Sequence, residues 1–129
     1  MHFYPDASIF STTEYNRDIL ESRLRELLFL KRGVRITIND QREKDEQGVA
    51  YSKTFYSEGG IVEFLEMLDS NAGRNPLIPK VIYVNGLDEA THVAVEISLT
   101  YNDSFSEHIY SYVNNINTIE GGTHVAGFR

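Results

Sequence analysis

The spacing of the apolar residues changes at Gly33, and no single type of secondary structure satisfies both sides of that change. Before it, Tyr15, Ile19, Leu20, Leu24, Leu27 and Leu28 recur at helical intervals. After it, Val34-Arg35-Ile36-Thr37-Ile38-Asn39 alternates strictly, as a half-buried strand does. A chain carrying both patterns must pack a helix on a sheet, so the expected class is α+β. Ser11, three residues before Glu14, reads as a capping box that opens a helix over residues 12–30. Gly33 reads as its C-cap glycine, with Lys31 and Arg32 in the last turn, where cations suit the helix dipole.

The remaining stretches extend this alternation of types. Phe3-Tyr4-Pro5-Asp6 reads as a strand end entering a turn, because Pro5 cannot donate to a ladder. Residues 40–48 contain no apolar side chain and read as a solvated hairpin tip, with the return strand over Tyr51–Tyr56. Glu58-Gly59-Gly60 breaks the pattern, and Ile61, Phe64, Leu65 and Leu68 then mark one face of a short helix. A loop over Ser70–Pro79 leads to an apolar strand, Val81–Val84, and to a turn at Gly86–Glu89. His92–Tyr101 alternates, with Val93, Val95, Ile97 and Leu99 on one face. After a turn at Asn102–Ser104, Glu107–Val113 is a third late strand, and short turns between the three suggest an antiparallel meander. Gly121-Gly122-Thr123 reads as a tight turn into a helix with Thr123 as its N-cap. A chain that opens inside a strand and closes inside a starting helix reads as a piece excised from a longer protein.

Composition narrows the function classes. With 129 residues, 41% of them hydrophobic, the chain can bury a core. It has no cysteine, which excludes disulfides and thiolate metal sites and is compatible with a reducing cytoplasm, the expected location. There is no apolar run long enough to span a bilayer and no secretory signal pattern. The formal charge of −7 argues against a main DNA-gripping surface, because phosphate neutralisation needs Lys and Arg.

No catalytic constellation emerges. His2, His92, His108 and His124 show no zinc-ligand spacing, and Glu63 and Glu66, three apart on a helix, fit a solvated face better than an acid/base pair. Two Glu-Gly-Gly triplets, at 58–60 and 120–122, each precede an expected helix. Paired glycines there either expose amides to a phosphate or permit positive φ in a tight turn, and the second reading is the stronger, since no Gly-Lys-Ser/Thr follows. Asn114, Asn115 and Asn117 cluster after an apolar strand, where they satisfy turn backbone or receive a ligand; composition favours the turn.

Four stretches carry a family resemblance. Phe3-Tyr4-Pro5-Asp6-x-x-Ile9-Phe10 is similar to the segment closing the ATPase domain of the B subunits of bacterial type IIA DNA topoisomerases, gyrase and topoisomerase IV. Leu20-Glu21-Ser22-Arg23-Leu24-Arg25-Glu26-Leu27-Leu28-Phe29-Leu30-Lys31-Arg32-Gly33 resembles that family's LxxRLRELAFLNxG helix, with Leu28 for Ala and Lys31 for Asn. Tyr56-x-Glu58-Gly59-Gly60-Ile61 is a shorter match, and the run from Asn114 to Arg129 resembles NNIxTxEGGTHxxGF.

The resemblance implies an order of parts. Residues 1–58 would be the C-terminal remnant of a GHKL ATPase domain, and residues 59–129 the first part of a transducer of ribosomal-protein-like α+β fold. It implies ATP and Mg2+ as cofactors of the parent and none for this piece. The implied partners are the A subunit, double-stranded DNA and a second B subunit, with no membrane. No Asp-x-Gly-x-Gly adenine motif or glycine-rich lid occurs in the sequence, and the family's Gln-Thr-Lys loop would lie beyond Arg129. Catalytic, cofactor-binding and metal residues are therefore expected to be absent here, and the implied role is to relay ATP-driven gate closure. Two other readings stand beside it: a freestanding interaction module, and a nucleotide-binding enzyme built on the Glu-Gly-Gly turns. Strands at Phe3-Tyr4 and 34–56 with unpaired edges are further expected to pair with another copy.

Overall fold

The computed structural model describes residues 1–129. Its elements, in chain order, are α1 (Arg17–Leu30), β1 (Arg35–Lys44), β2 (Ala50–Tyr56), α2 (Ile61–Asn71), β3 (Ile82–Asp88), β4 (Val93–Leu99), β5 (Tyr112–Val113), β6 (Ile116–Asn117) and α3 (Thr123–Phe128). The strands form three separate antiparallel pairs, β1–β2, β3–β4 and β5–β6. The meander expected at 81–113 does not form, because most of Glu107–Val113 has no ladder partner and only Tyr112–Val113 pairs, with its own hairpin neighbour.

The switch of period at Gly33 is realised as helix followed by hairpin. Gly33 takes φ +74 and its N–H donates to the Ser57 carbonyl at 3.1 Å, which brings the chain back beside the end of β2. It lies two residues past the C-cap, Lys31, so Lys31 and Arg32 fall outside the last helical turn. The helix begins later than the expected residue 12. Asn16 caps it, its side chain accepting from the Ile19 N–H at 3.2 Å, while Thr12 only accepts a local bond from the Glu14 N–H. An Asn at Ncap competes well with Ser or Thr, and here it sits directly before the first apolar turn.

On β1 and β2 the inward residues are Ile36, Ile38 and Asp40, opposite Phe55, Lys53 and Tyr51. The outward Thr37 and Thr54 hydroxyls bond across the ladder at 2.8 Å. Part of the expected charged tip belongs to the strand: β1 runs to Lys44, with an irregularity between Asp40 and Lys44, and the turn proper is 45–49. Polar side chains are no bar to a strand when they find partners, and Asp40 finds Arg42. Likewise Gly86, Leu87 and Asp88 continue β3, and the turn shifts to 89–92. Phe3-Tyr4 is not a strand; the Phe3 ring instead meets Tyr15 edge-on at 6.1 Å.

The core is small. Its buried apolar members are Leu28 and Phe29 of α1, Phe55 of β2 and Phe64 of α2. Phe29 and Phe64 stack at 5.1 Å and 13° between planes, which makes the α1–α2 contact an aromatic one. α2 lies on β3–β4, where Ser98 Oγ donates to the Ile61 carbonyl at 3.0 Å. The opposite face of that ribbon carries Ile82, Val84, Val93 and Val95, all exposed. On α1, Ile19, Leu20 and Leu27 form an uncovered stripe, although helical spacing alone places them toward a core. The chain exposes 10411 Å², against about 6,900 Å² for a compact folded chain of this mass.

Candidate functional site

The polar side chains gather where α1 meets the hairpin and where the hairpin hands over to α2. On the inner face of α1, Glu21 is buried and accepts from Tyr51 Oη and Lys53 Nζ, each at 2.6 Å. The Lys53 bond chiefly, then the Tyr51 bond, holds the Glu21 carboxyl below its ordinary range, and Glu21 in turn raises both partners. Arg17 lies over the Tyr51 ring at 4.3 Å and pairs with Glu43. Directly across the ladder from Tyr51, the buried Asp40 carboxylate accepts from Arg42 through Nε at 2.9 Å and Nη2 at 2.6 Å. This forked contact, aided by the Arg42 backbone N–H, pushes Asp40 well below the carboxylate range. Arg42 also donates to the Tyr15 carbonyl at 2.7 Å, which ties the strand to the segment before α1.

At the handover, the first Glu-Gly-Gly triplet makes a turn and leaves no open cradle. Gly60 has φ +61, and a Cβ there would collide with the Arg32 side chain, 2.7 Å from its Cγ. Ser57 Oγ donates to Glu63 Oε2 at 2.6 Å and accepts from the Gly60 N–H at 3.2 Å, while the Gly59 N–H donates to Glu63 at 3.2 Å. The amides that a phosphate would need are thus met by Ser57 and by a carboxylate of the helix itself. The second triplet leads into α3, whose N-cap is Gly122 and not the expected Thr123; Thr123 is the first helical residue.

The other sequence candidates are dispersed. Glu66 is exposed, while Glu63 serves the cap, so the two form no pair. His108 meets Ser104, His124 meets Thr118, and His92 sits at φ 56 in the β3–β4 turn. No three His, Asp or Glu side chains are placed to hold a metal ion. Asn114 and Asn115 both take positive φ in the β5–β6 turn, the turn reading of that cluster. No helix is long and apolar enough to cross a membrane.

Sequence reasoning missed a second polar knot. Asp69 is buried and accepts from Asn102 Nδ2 at 3.2 Å through both oxygens, and Arg74 Nε lies 2.8 Å away as an ion pair without hydrogen-bond geometry. Asn75 doubly contacts Asp103, whose carboxyl is held low by the Asn75 side chain and then by its backbone N–H. This knot fastens the loop after α2 to the turn after β4. Arg74 falls in a stretch of loop composition, so its pairing with Asp69 has no sequence signal. These two polar clusters brace elements against each other.

Comparison with known proteins places this scaffold. The chain is 65% identical over 99% of its length to the B subunit of DNA gyrase from Chitinophaga japonensis, and spans 27% of that protein. It superposes with a TM-score of 0.80 and 25% identity on the crystal structure of the B subunit of Myxococcus xanthus DNA gyrase, covering 98% of this chain and 37% of that one. The 43K ATPase domain of Thermus thermophilus gyrase B, solved in complex with an aminocoumarin, gives a TM-score of 0.78 and 27% identity over 96% of this chain and 31% of its own. The chain thus spans about a quarter of the length of the curated relatives it matches. Residues 60–129, just over half of it, match the model of the family described as DNA gyrase B, and the chain belongs to that family.

Proposed function

We propose that this chain is a mechanical segment of the ATP-hydrolysing subunit of a bacterial type IIA DNA topoisomerase, relaying ATP-driven gate closure without itself carrying catalytic groups. The 65% identity to a gyrase B subunit over 99% of the chain is the observation that carries this reading. Residues 1–58 would close a GHKL ATPase domain and residues 59–129 would open a transducer. The Gly60 turn and the Phe29–Phe64 stack support a boundary there, because they join two packed units through a short, specified contact. In that setting the whole subunit would use ATP and Mg2+ in the cytoplasm and act with an A subunit, a second B subunit and double-stranded DNA. The isolated chain, with open strand edges, would associate with itself.

A chimera tests the proposal. Residues 1–129 replace the matching quarter of the Chitinophaga japonensis protein, and the product is assayed with the A subunit on relaxed DNA. ATP-dependent supercoiling by the chimera, with no ATP turnover by the isolated chain, is the expected result. Turnover by the isolated chain would overturn the non-catalytic assignment, and a folded chimera that hydrolyses ATP without supercoiling would overturn the relay.

A further inference from the structure

One side chain bridges the segments on either side of Gly59-Gly60 through its hydroxyl, while its ring packs near Phe64 on its own side. Tyr112, in the two-residue strand β5, donates from Oη to Glu26 Oε1 at 2.7 Å, a contact 86 residues apart in sequence. Its ring lies 6.2 Å from Phe64, which stacks on Phe29. Glu26 is held from its other oxygen by Arg23, at 2.9 Å. The hairpin that carries Tyr112 is short and turns through two positive-φ asparagines, so it has few fastenings of its own. Thr118, directly after it, bonds back through its N–H to the Ser111 carbonyl at 2.8 Å and through Oγ1 to Ser111 and His124. Position therefore passes from α1 through Glu26 to Tyr112, and from Ser111 and Thr118 to α3.

We propose that Tyr112 and Glu26 form a positioning joint that keys the β5–β6 hairpin, and with it α3, to helix α1. Movement of α1 then carries the 111–129 segment along, while the aromatic stack beneath acts as the bearing. The role as a relay element rests on the function proposed above; the joint itself rests only on this geometry. Burial first, and then the bond to Glu26, raise Tyr112 above the ordinary tyrosine range. The charged and titratable groups facing it are Glu26, Arg23 and Tyr110.

Amide hydrogen exchange at Thr118 in the 129-residue chain tests the joint. Tyr112→Phe keeps the ring, and Glu26→Ala removes the acceptor; each should speed exchange about tenfold, the scale of one charge-assisted hydrogen bond. The double variant should be no faster than either alone, and Glu26→Gln, which keeps an acceptor oxygen, should restore nearly normal exchange. Unchanged exchange in Tyr112→Phe, or effects that multiply in the double variant, would overturn the joint. In the chimera, Tyr112→Phe should leave ATP turnover intact and lower supercoiling per ATP about fivefold or more. Faster exchange with unchanged supercoiling per ATP overturns the relay role of Tyr112. Loss of supercoiling in the unsubstituted chimera strikes the broader relay reading and leaves the exchange result to decide the joint.

Discussion

Gly60 combines two demands that only glycine meets. Its φ of +61 lies in the left-handed region, and its α-carbon approaches the Arg32 side chain so closely that a methyl group would stand 2.7 Å from Cγ. Retreat of Arg32 would take it from its place over the Tyr83 ring at 4.7 Å and near Glu96. Gly60→Ala is expected to destabilise the chain by about 1–2 kcal/mol from backbone strain alone, with the displaced arginine adding to it. Urea unfolding of the two proteins checks this, and equal midpoints would contradict it. The glycine pair was visible in the sequence; that its amides are met by Ser57 and Glu63 was not, since Ser57 precedes the triplet and looks like ordinary loop.

Helix α1 and the β1–β2 hairpin meet through carboxylates as much as through apolar side chains. Glu21 and Asp40 lie at inward positions, each held ionised by hydrogen bonds, from Lys53 and Tyr51 in one case and Arg42 in the other. Carboxyls whose folded-state values are depressed add stability above their unfolded values, and that stability is lost as pH falls through the folded ones. The urea midpoint should therefore be flat near neutrality and fall as pH drops below about 4. The Glu21→Gln, Asp40→Asn double variant should start lower at pH 7 and show a shallower fall. A fall as steep as that of the unsubstituted chain would assign the acid sensitivity to other groups. The alternation at 34–39 identified the strand, yet the charge of residues 40–44 disguised its continuation. Asp40 pairs with Arg42 inside the strand itself, but Glu43 takes Arg17 of α1 and Arg42 reaches the Tyr15 carbonyl, and no local pattern reports those distant partners.

At the scale of the whole molecule, exposed surface exceeds that of a compact chain by about 3,500 Å², on a total of 10411 Å². One standard interface hides only about 800 Å² on each partner. The uncovered area is spread over the α1 stripe of Ile19, Leu20 and Leu27, the outer face of β3–β4, and the open edges of three two-stranded ladders. Sedimentation should accordingly show association that rises with concentration, and a solvatochromic dye such as ANS should brighten on binding. A strictly monomeric chain at high concentration that leaves the dye dark would refute this. Phe3-Tyr4, expected to offer one such edge, is not a strand, so the open edges are those of the three hairpins.

Local order was legible because it is local. The helical spacing before Gly33, the alternation after it, the break at Gly59-Gly60 and the turn at Asn114-Asn115 each depend on residues within a few positions. The motifs from Leu20 to Gly33 and from Asn114 to Arg129 are enough by themselves to point to the family. Tertiary structure decided which apolar faces found cover. Helical spacing treats Ile19, Leu20, Leu24 and Leu28 alike, and only the placement of the hairpin and α2 buries Leu28 and leaves Ile19 in water. It also decided the ladder partners and the bonds of Tyr112, Arg74 and Asp69. Those depend on side chains from separate elements arriving within about 3 Å of each other, a condition that neither composition nor periodicity encodes.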